Sequence, residues 1–108
     1  MVIDSEALQQ IVCATLGVNH DDSFFKSRKT NVLFARYIAI FFEKNINNTP
    51  LVKIALDYKR GNHSTVSHDL KTTKLLIKNH KPFLKKYTLC AHELREYSSF
   101  NFNAIPQF

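Results

Sequence analysis

No stretch of this chain is apolar for long enough to cross a bilayer, which takes about 20 residues, and no secretory leader is apparent. A membrane partner is therefore not expected. Cysteine is scarce. Cys13 and Cys90 stand alone and the five histidines are scattered, so neither a disulfide framework nor a zinc-ligand spacing is present. Both cysteines fall among apolar residues at helical spacing, which makes buried free thiols the default and suits a reducing, cytoplasmic setting. With only two glycines there is no Gly-rich phosphate loop, and no paired-carboxylate site is evident. His63 and Ser64 are neighbours, but adjacent helical residues point apart and cannot serve as base and nucleophile. No enzyme, metal or cofactor is expected.

Acids are missing where bases are dense. Residues 1–25 hold Asp4, Glu6, Asp21 and Asp22 and no Lys or Arg, whereas residues 26–86 hold 14 Lys and Arg against Glu43, Asp57 and Asp69. The whole chain carries +6, and its uneven placement suggests a polyanionic partner, because neutralised phosphates release counterions. A solvated basic surface would look the same, so charge alone does not decide. At 108 residues the chain supports one small domain with a modest core.

Helical spacing recurs along the sequence. Asp4 is placed to cap a first helix, with Ile3 stapling on Leu8, an apolar stripe at Leu8, Ile11, Val12 and Leu16, and Gly17 at its end. Residues 19–22 cap a short second element whose Phe24 and Phe25 plug the core. Lys26-Ser27-Arg28-Lys29 is a basic loop, readable as a solvated turn or a phosphate contact. Thr30 or Asn31 caps a wide apolar helix to about Lys44, the central buried one, in which Arg36 must be exposed or paired. Thr49-Pro50 opens a short helix with Leu51, Val52, Ile54, Ala55 and Tyr58 on its apolar side. Lys59-Arg60-Gly61 is a turn, in which Gly61 permits positive φ.

Asn62 then caps a helix running to about Asn79. His63, Ser64 and Thr65 fall on its first turn, Val66, Leu70 and Ile77 on one face, and Lys71, Lys74 and Lys78 on another. Short hydrogen-bonding residues followed by lysines suit a helix whose first turn enters the major groove while later lysines meet phosphate. Beyond a break at residues 79–82, Phe83, Tyr87, Cys90, Leu94 and Tyr97 predict a last amphipathic helix. Core packing is favoured for it, with pairing to a second copy or a protein partner as the alternative. Residues 98–108 form a Phe-rich segment, an ordered strap or a loose tail.

Ile54-Ala55-x-x-Tyr58, a basic turn, and Asn62-His63-Ser64-Thr65-Val66-x-His68 resemble the C-terminal DNA-binding domain of the bacterial replication initiator DnaA. That family typically reads Ile-Gly-x-x-Phe-Gly-Gly-Arg-Asp-His-[Ser/Thr]-Thr-Val-x-His. The similarity runs upstream through Lys26-Ser27-Arg28-Lys29 and Leu33-Phe34-Ala35-Arg36-Tyr37-Ile38-Ala39, covering roughly residues 3 to 78. It implies an all-α fold, an orthogonal bundle of five to six helices with a helix-turn-helix, as in the DnaA C-terminal and Trp-repressor-like domains. One domain is expected over 1–97, with the helix-turn-helix at about 49–79, an extra helix at about 82–97 and a tail at 98–108.

The resemblance implies sequence-specific binding of double-stranded DNA in replication or transcription regulation, by a free-standing reader without the initiator's ATPase module. His63, Ser64 and Thr65, with Arg60 and His68, are the candidates for base edges. Lys26, Arg28, Lys29, Arg36, Lys71 and Lys74 are the candidates for phosphate, the Arg36 role being carried over from the family. Lys59 and Asn62 complete the interface. The turn departs from the family pattern: Gly61 stands in the slot of the family's base-reading Arg, which leaves Arg60, one residue upstream, as the candidate substitute. Asp69, an acid on the recognition helix, either accepts from a cytosine amino group, faces solvent or pairs with Lys. These departures motivate the alternative of a protein-interaction module that keeps the fold but has lost base readout. Stacking on single-stranded or structured RNA is the weaker third reading, because most aromatics sit at core-like spacing.

Overall fold

The computed structural model describes residues 3–97; the expected strap or tail at 98–108 lies outside them. The described residues form six helices and no strand: α1 (Ser5–Leu16), α2 (Asp22–Lys26), α3 (Thr30–Asn45), α4 (Leu51–Asp57), α5 (His63–Asn79) and α6 (Lys81–Tyr97). The fold is all-α, as expected. The central helix is α3, which packs against all five others. Its Val32, Ala35, Ile38, Ala39, Ile40, Phe41 and Phe42 are buried, and the apolar faces of α1, α5 and α6 close around them.

The ends of α1 and α4 are built alike from different residues. After α1, the Val18 N–H donates to the Cys13 carbonyl (2.8 Å) and the Gly17 N–H to that of Ala14 (3.4 Å), with Gly17 at φ 69°. After α4, the Arg60 N–H donates to Ala55 (2.8 Å) and the Lys59 N–H to Leu56 (3.3 Å), with Lys59 at φ 52°. Both are Schellman closures, which need one left-handed residue just past the cap. In α4 that position falls on Lys59, two residues before Gly61, so the positive φ expected of Gly61 belongs to a lysine. The helices α1, α2 and α5 begin with side-chain caps from Asp4, Asp21 and Asn62, and His80 serves α6 in the same way. The caps expected of Thr30 or Asn31 and of Thr49 are not formed. Lys29 and Pro50 occupy those cap positions without side-chain bonds, and Pro50 stands one residue before the helix it was expected to begin.

A single residue, His80, separates α5 from α6, and its Nδ1 accepts from the Phe83 N–H (3.1 Å). Pro82 lies in the first turn of α6, where its missing N–H has no helical partner to lose. Phe83, Tyr87, Cys90 and Leu94 enter the core, and the Tyr87 ring stacks on Phe42 with centroids 5.0 Å apart. Tyr97, the last of that stripe, is exposed. So are Val52 (62%) and Leu56 (74%) on α4, which removes Val52 from the expected core side. Cys13 and Cys90 are buried and free, and burial pushes each thiol up to about 12.

A buried carboxylate ties α1, α3 and α4 together. Glu43 is 1% exposed. Its Oε2 accepts from Ser5 Oγ (3.0 Å) and Tyr58 OH (2.8 Å), and its Oε1 from Asn47 Nδ2 (2.8 Å) and Thr49 Oγ1 (3.4 Å). The same Asn47 exchanges two bonds with the backbone of Ile3. These four donors offset the desolvation of the carboxylate, since no cation among the described residues pairs with it. Burial beside Glu43 pushes the Tyr58 hydroxyl well above its usual range, so it stays a donor. Glu43→Gln turns an acceptor into a second donor facing this cluster. It is expected to lower the unfolding free energy by about 1–3 kcal/mol, read by urea denaturation; an unchanged midpoint would contradict the role given to Glu43.

Candidate nucleic-acid interface

The helix α5 starts where Asn62 Oδ1 accepts from the Thr65 N–H (3.1 Å). Asn62 is exposed, but its side-chain oxygen is already engaged in capping. With 3.6 residues per turn, Val66, Asp69, Thr73 and Ile77 fall on the buried side, and they are the buried residues of α5. His63, Ser64, His68, Lys71, Lys74, Leu75 and Lys78 are exposed on the opposite arc, with half-buried Ser67 among them. Five of the expected α5 contacts thus share one open face. Thr65 does not: it is half-buried on the flank nearer Asp69, with its hydroxyl toward Gly61.

Arg36 links the basic loop to the neighbourhood of this helix start. Its side chain is 3% exposed. Nη1 donates to the Phe24 carbonyl (3.0 Å) and the Ser27 carbonyl (3.2 Å), binding the end of α2 and the start of the loop to α3. Its Nε has no partner among the described residues. Burial, and then the charge of Arg60, lower the Arg36 pKa, while Asp69 opposes them. One buried guanidinium therefore touches the basic loop and lies within electrostatic reach of the turn before α5. The phosphate contact implied for Arg36 assumes an open side chain; in this structure the group is enclosed and placed to hold the loop on α3.

Around this junction Lys26, Arg28 and Lys29 are exposed, and Lys71, Lys74 and Lys78 are exposed on α5. None of the six pairs with an acid among the described residues. Lys59 is differently placed: its Nζ lies 4.8 Å from the Phe25 ring centroid and 4.0 Å from Asp22. Arg60 is engaged as well. Its Nε and Nη2 donate to the two carboxylate oxygens of Asp69, at 2.8 and 3.2 Å. Asp69 is 1% exposed, which corrects the expectation of a base contact or a solvent-facing acid in favour of pairing, with Arg60 rather than with the lysine expected. The pairing engages the guanidinium of Arg60, whose side chain is 22% exposed, on Asp69. The sequence reading missed this pair, although the spacing of a turn arginine and an acid on the following helix held the signal.

Among the described residues no cluster of His, Cys, Asp or Glu could hold a metal ion, and no helix is long and apolar enough to cross a membrane. Arg36→Ala would leave the Phe24 and Ser27 carbonyls without their donor. The expected loss is about 2 kcal/mol of stability, measured by thermal unfolding; a variant as stable as the parent would contradict the positioning task.

Comparison with known proteins agrees with this geometry. The family model described as the bacterial dnaA protein helix-turn-helix matches residues 5–72. The chain is 32% identical over 81 residues to the chromosomal replication initiator protein DnaA of Campylobacter curvus (strain 525.92), an alignment covering 75% of this chain and 19% of that protein. It is 31% identical over 83 residues to the DnaA of Pseudothermotoga lettingae, covering 77% of this chain and 18% of that one. With the DnaA of Chlorobaculum tepidum it shares 31% over 72 residues, 67% of this chain and 15% of the relative. The chain thus spans about a fifth of the length of these curated relatives. No solved structure matches it. With the family model covering well over half of its residues, the chain belongs to the bacterial DnaA helix-turn-helix family.

Proposed function

We propose that this protein binds double-stranded DNA in a sequence-selective manner, with α5 in the major groove, as a regulator of replication or transcription. The coarser part rests on the family: a DnaA helix-turn-helix is a DNA-binding domain related to replication initiation, not an enzyme. The observation that carries the finer reading is the open arc of α5. His63, Ser64 and His68 stand exposed toward its start and Lys71 and Lys74 farther along, with no acid on that arc. A helix so arranged can present small polar groups to base edges while its lysines meet the backbone. Lys26, Arg28 and Lys29 supply further exposed cations, unpaired among the described residues, on the loop that Arg36 holds, suited to phosphate.

The alternative of a protein-interaction module working through α6 is not favoured. Phe83, Tyr87, Cys90 and Leu94 are buried against the rest of the domain, so the aromatic stripe is not an open surface. Stacking on single-stranded nucleic acid fares no better, since Phe24, Phe41, Phe42, Tyr58, Phe83 and Tyr87 are all enclosed.

Titration of the protein into random duplex DNA, followed by fluorescence anisotropy at several salt concentrations, tests the reading. Neutralisation of roughly five phosphates by Lys26, Arg28, Lys29, Lys71 and Lys74 gives an expected slope of log K against log salt of about −4 to −5. Lys71→Ala with Lys74→Ala should reduce that slope by about 2 and weaken all sequences alike. Absence of binding at low salt would overturn the proposal, and a slope near zero would overturn the phosphate assignments. Ser64→Ala should relax base preference in a selection experiment while leaving binding to random DNA nearly unchanged; equal losses on every sequence would remove Ser64 from base readout.

A further inference from the structure

We propose that Asp69 determines DNA specificity by withholding Arg60 from the bases, so that the recognition helix reads its site without an arginine from the preceding turn. The inference rests on the DNA-binding reading above. Arginine is the side chain best suited to read a guanine edge, through two parallel N–H donors. Arg60 is in a position to do so, two residues before the cap of α5. The geometry assigns it elsewhere. Its Nε and Nη2 already form a fork on Asp69, at 2.8 and 3.2 Å. Its backbone N–H is fixed to the Ala55 carbonyl (2.8 Å) in the closure of α4, so the whole residue is anchored.

Whether DNA could draw Arg60 out is decided by what it would leave behind. Asp69 is 1% exposed on the buried side of α5. Arg60 is 22% exposed but Asp69 is enclosed, so removing the partner strands a carboxylate away from water, at a cost greater than one guanine contact returns. Arg36 does not share the bond in this structure: it forms no ion pair with Asp69, its Nη1 being held by the Phe24 and Ser27 carbonyls and its Nε being unpartnered among the described residues. The pair therefore persists in the complex. Gly61, the residue between Arg60 and the cap, brings no side chain to replace it, although the space is open. A Cβ there would meet nothing closer than Thr65 Oγ1 at 3.9 Å. Asp69 is a positioning residue, acting on the DNA through a neighbour it immobilises.

Asp69→Asn keeps the shape and removes the charge that holds Arg60. Selection from a randomised duplex pool should then show a preference for guanine, by at least about fivefold, at one position where the parent has none. Adding Arg60→Ala to that variant should abolish the new preference. Retention of the parental base preference by folded Asp69→Asn would overturn the proposal. A second measurement needs no substitution. The Arg60 Nε–H signal of the parent, followed by NMR, should stay slow to exchange and nearly unshifted on addition of duplex DNA. A large shift with contacts to a guanine would overturn the proposal while leaving the DNA-binding reading intact. A parent that binds no duplex would overturn both.

Discussion

A carboxylate that pairs with no cation among the described residues, Glu43, holds the frame of this domain. It lies near the end of the central helix and gathers donors from Ser5 before α1's first turn is complete, from Asn47 and Thr49 in the connection to α4, and from Tyr58 at the far end of α4. Both ends of a seven-residue helix are thereby referenced to one point on α3. A helix so short has little stability of its own, and two of its five apolar residues, Val52 and Leu56, face outward. Its position, and through it the entry of the chain into α5, depends on polar bonds made in the interior more than on burial.

The second buried carboxylate works differently. Asp69 is met by a guanidinium, and a second one lies behind it in α3. Arg36, Asp69 and Arg60 form a charged junction where the loop after α2, the central helix and the helix-turn-helix come together. This junction sets the spacing between the two basic surfaces: the loop at 26–29 and the open arc of α5. Two of the chain's arginines face inward to build it, and the unpaired charge left outside is mainly lysine. Lysine suits phosphate as a point charge and lacks the fork that reads bases, so on the proposed reading the base edges are left to His63, Ser64 and His68.

Much of this was legible in the sequence, and the reasons differ by element. The helices α1, α3, α5 and α6 each carry apolar residues at a helical period over many turns, and Asp4, Asn62 and Gly17 mark ends in the usual way. The lysines of α5 were readable as one face because helix geometry alone fixes which positions share it. What failed depended on contacts between elements. The left-handed residue after α4 is set by where the helix stops, and Lys59 fills it although Gly61 is nearby. Thr49 looked like a cap and instead serves Glu43, 6 residues away. Arg36 resembled a surface contact, but the carbonyls that bury it belong to α2 and its loop. Likewise the inward turn of Arg60 depends on Asp69 facing the core, which charge and composition do not reveal.

The most direct test of the central claim, that the open arc of α5 with the loop beside it is the DNA surface, is hydrogen–deuterium exchange and amide shift mapping by NMR on the 108-residue chain, with and without duplex DNA. The account predicts perturbations concentrated at residues 26–29, at the turn before α5 and along His63, Ser64, Ser67, His68, Lys71 and Lys74, with α6 and α1 nearly unchanged. Perturbations centred on α6 or on the outer face of α4 at Val52 and Leu56, with the α5 arc silent, would contradict it.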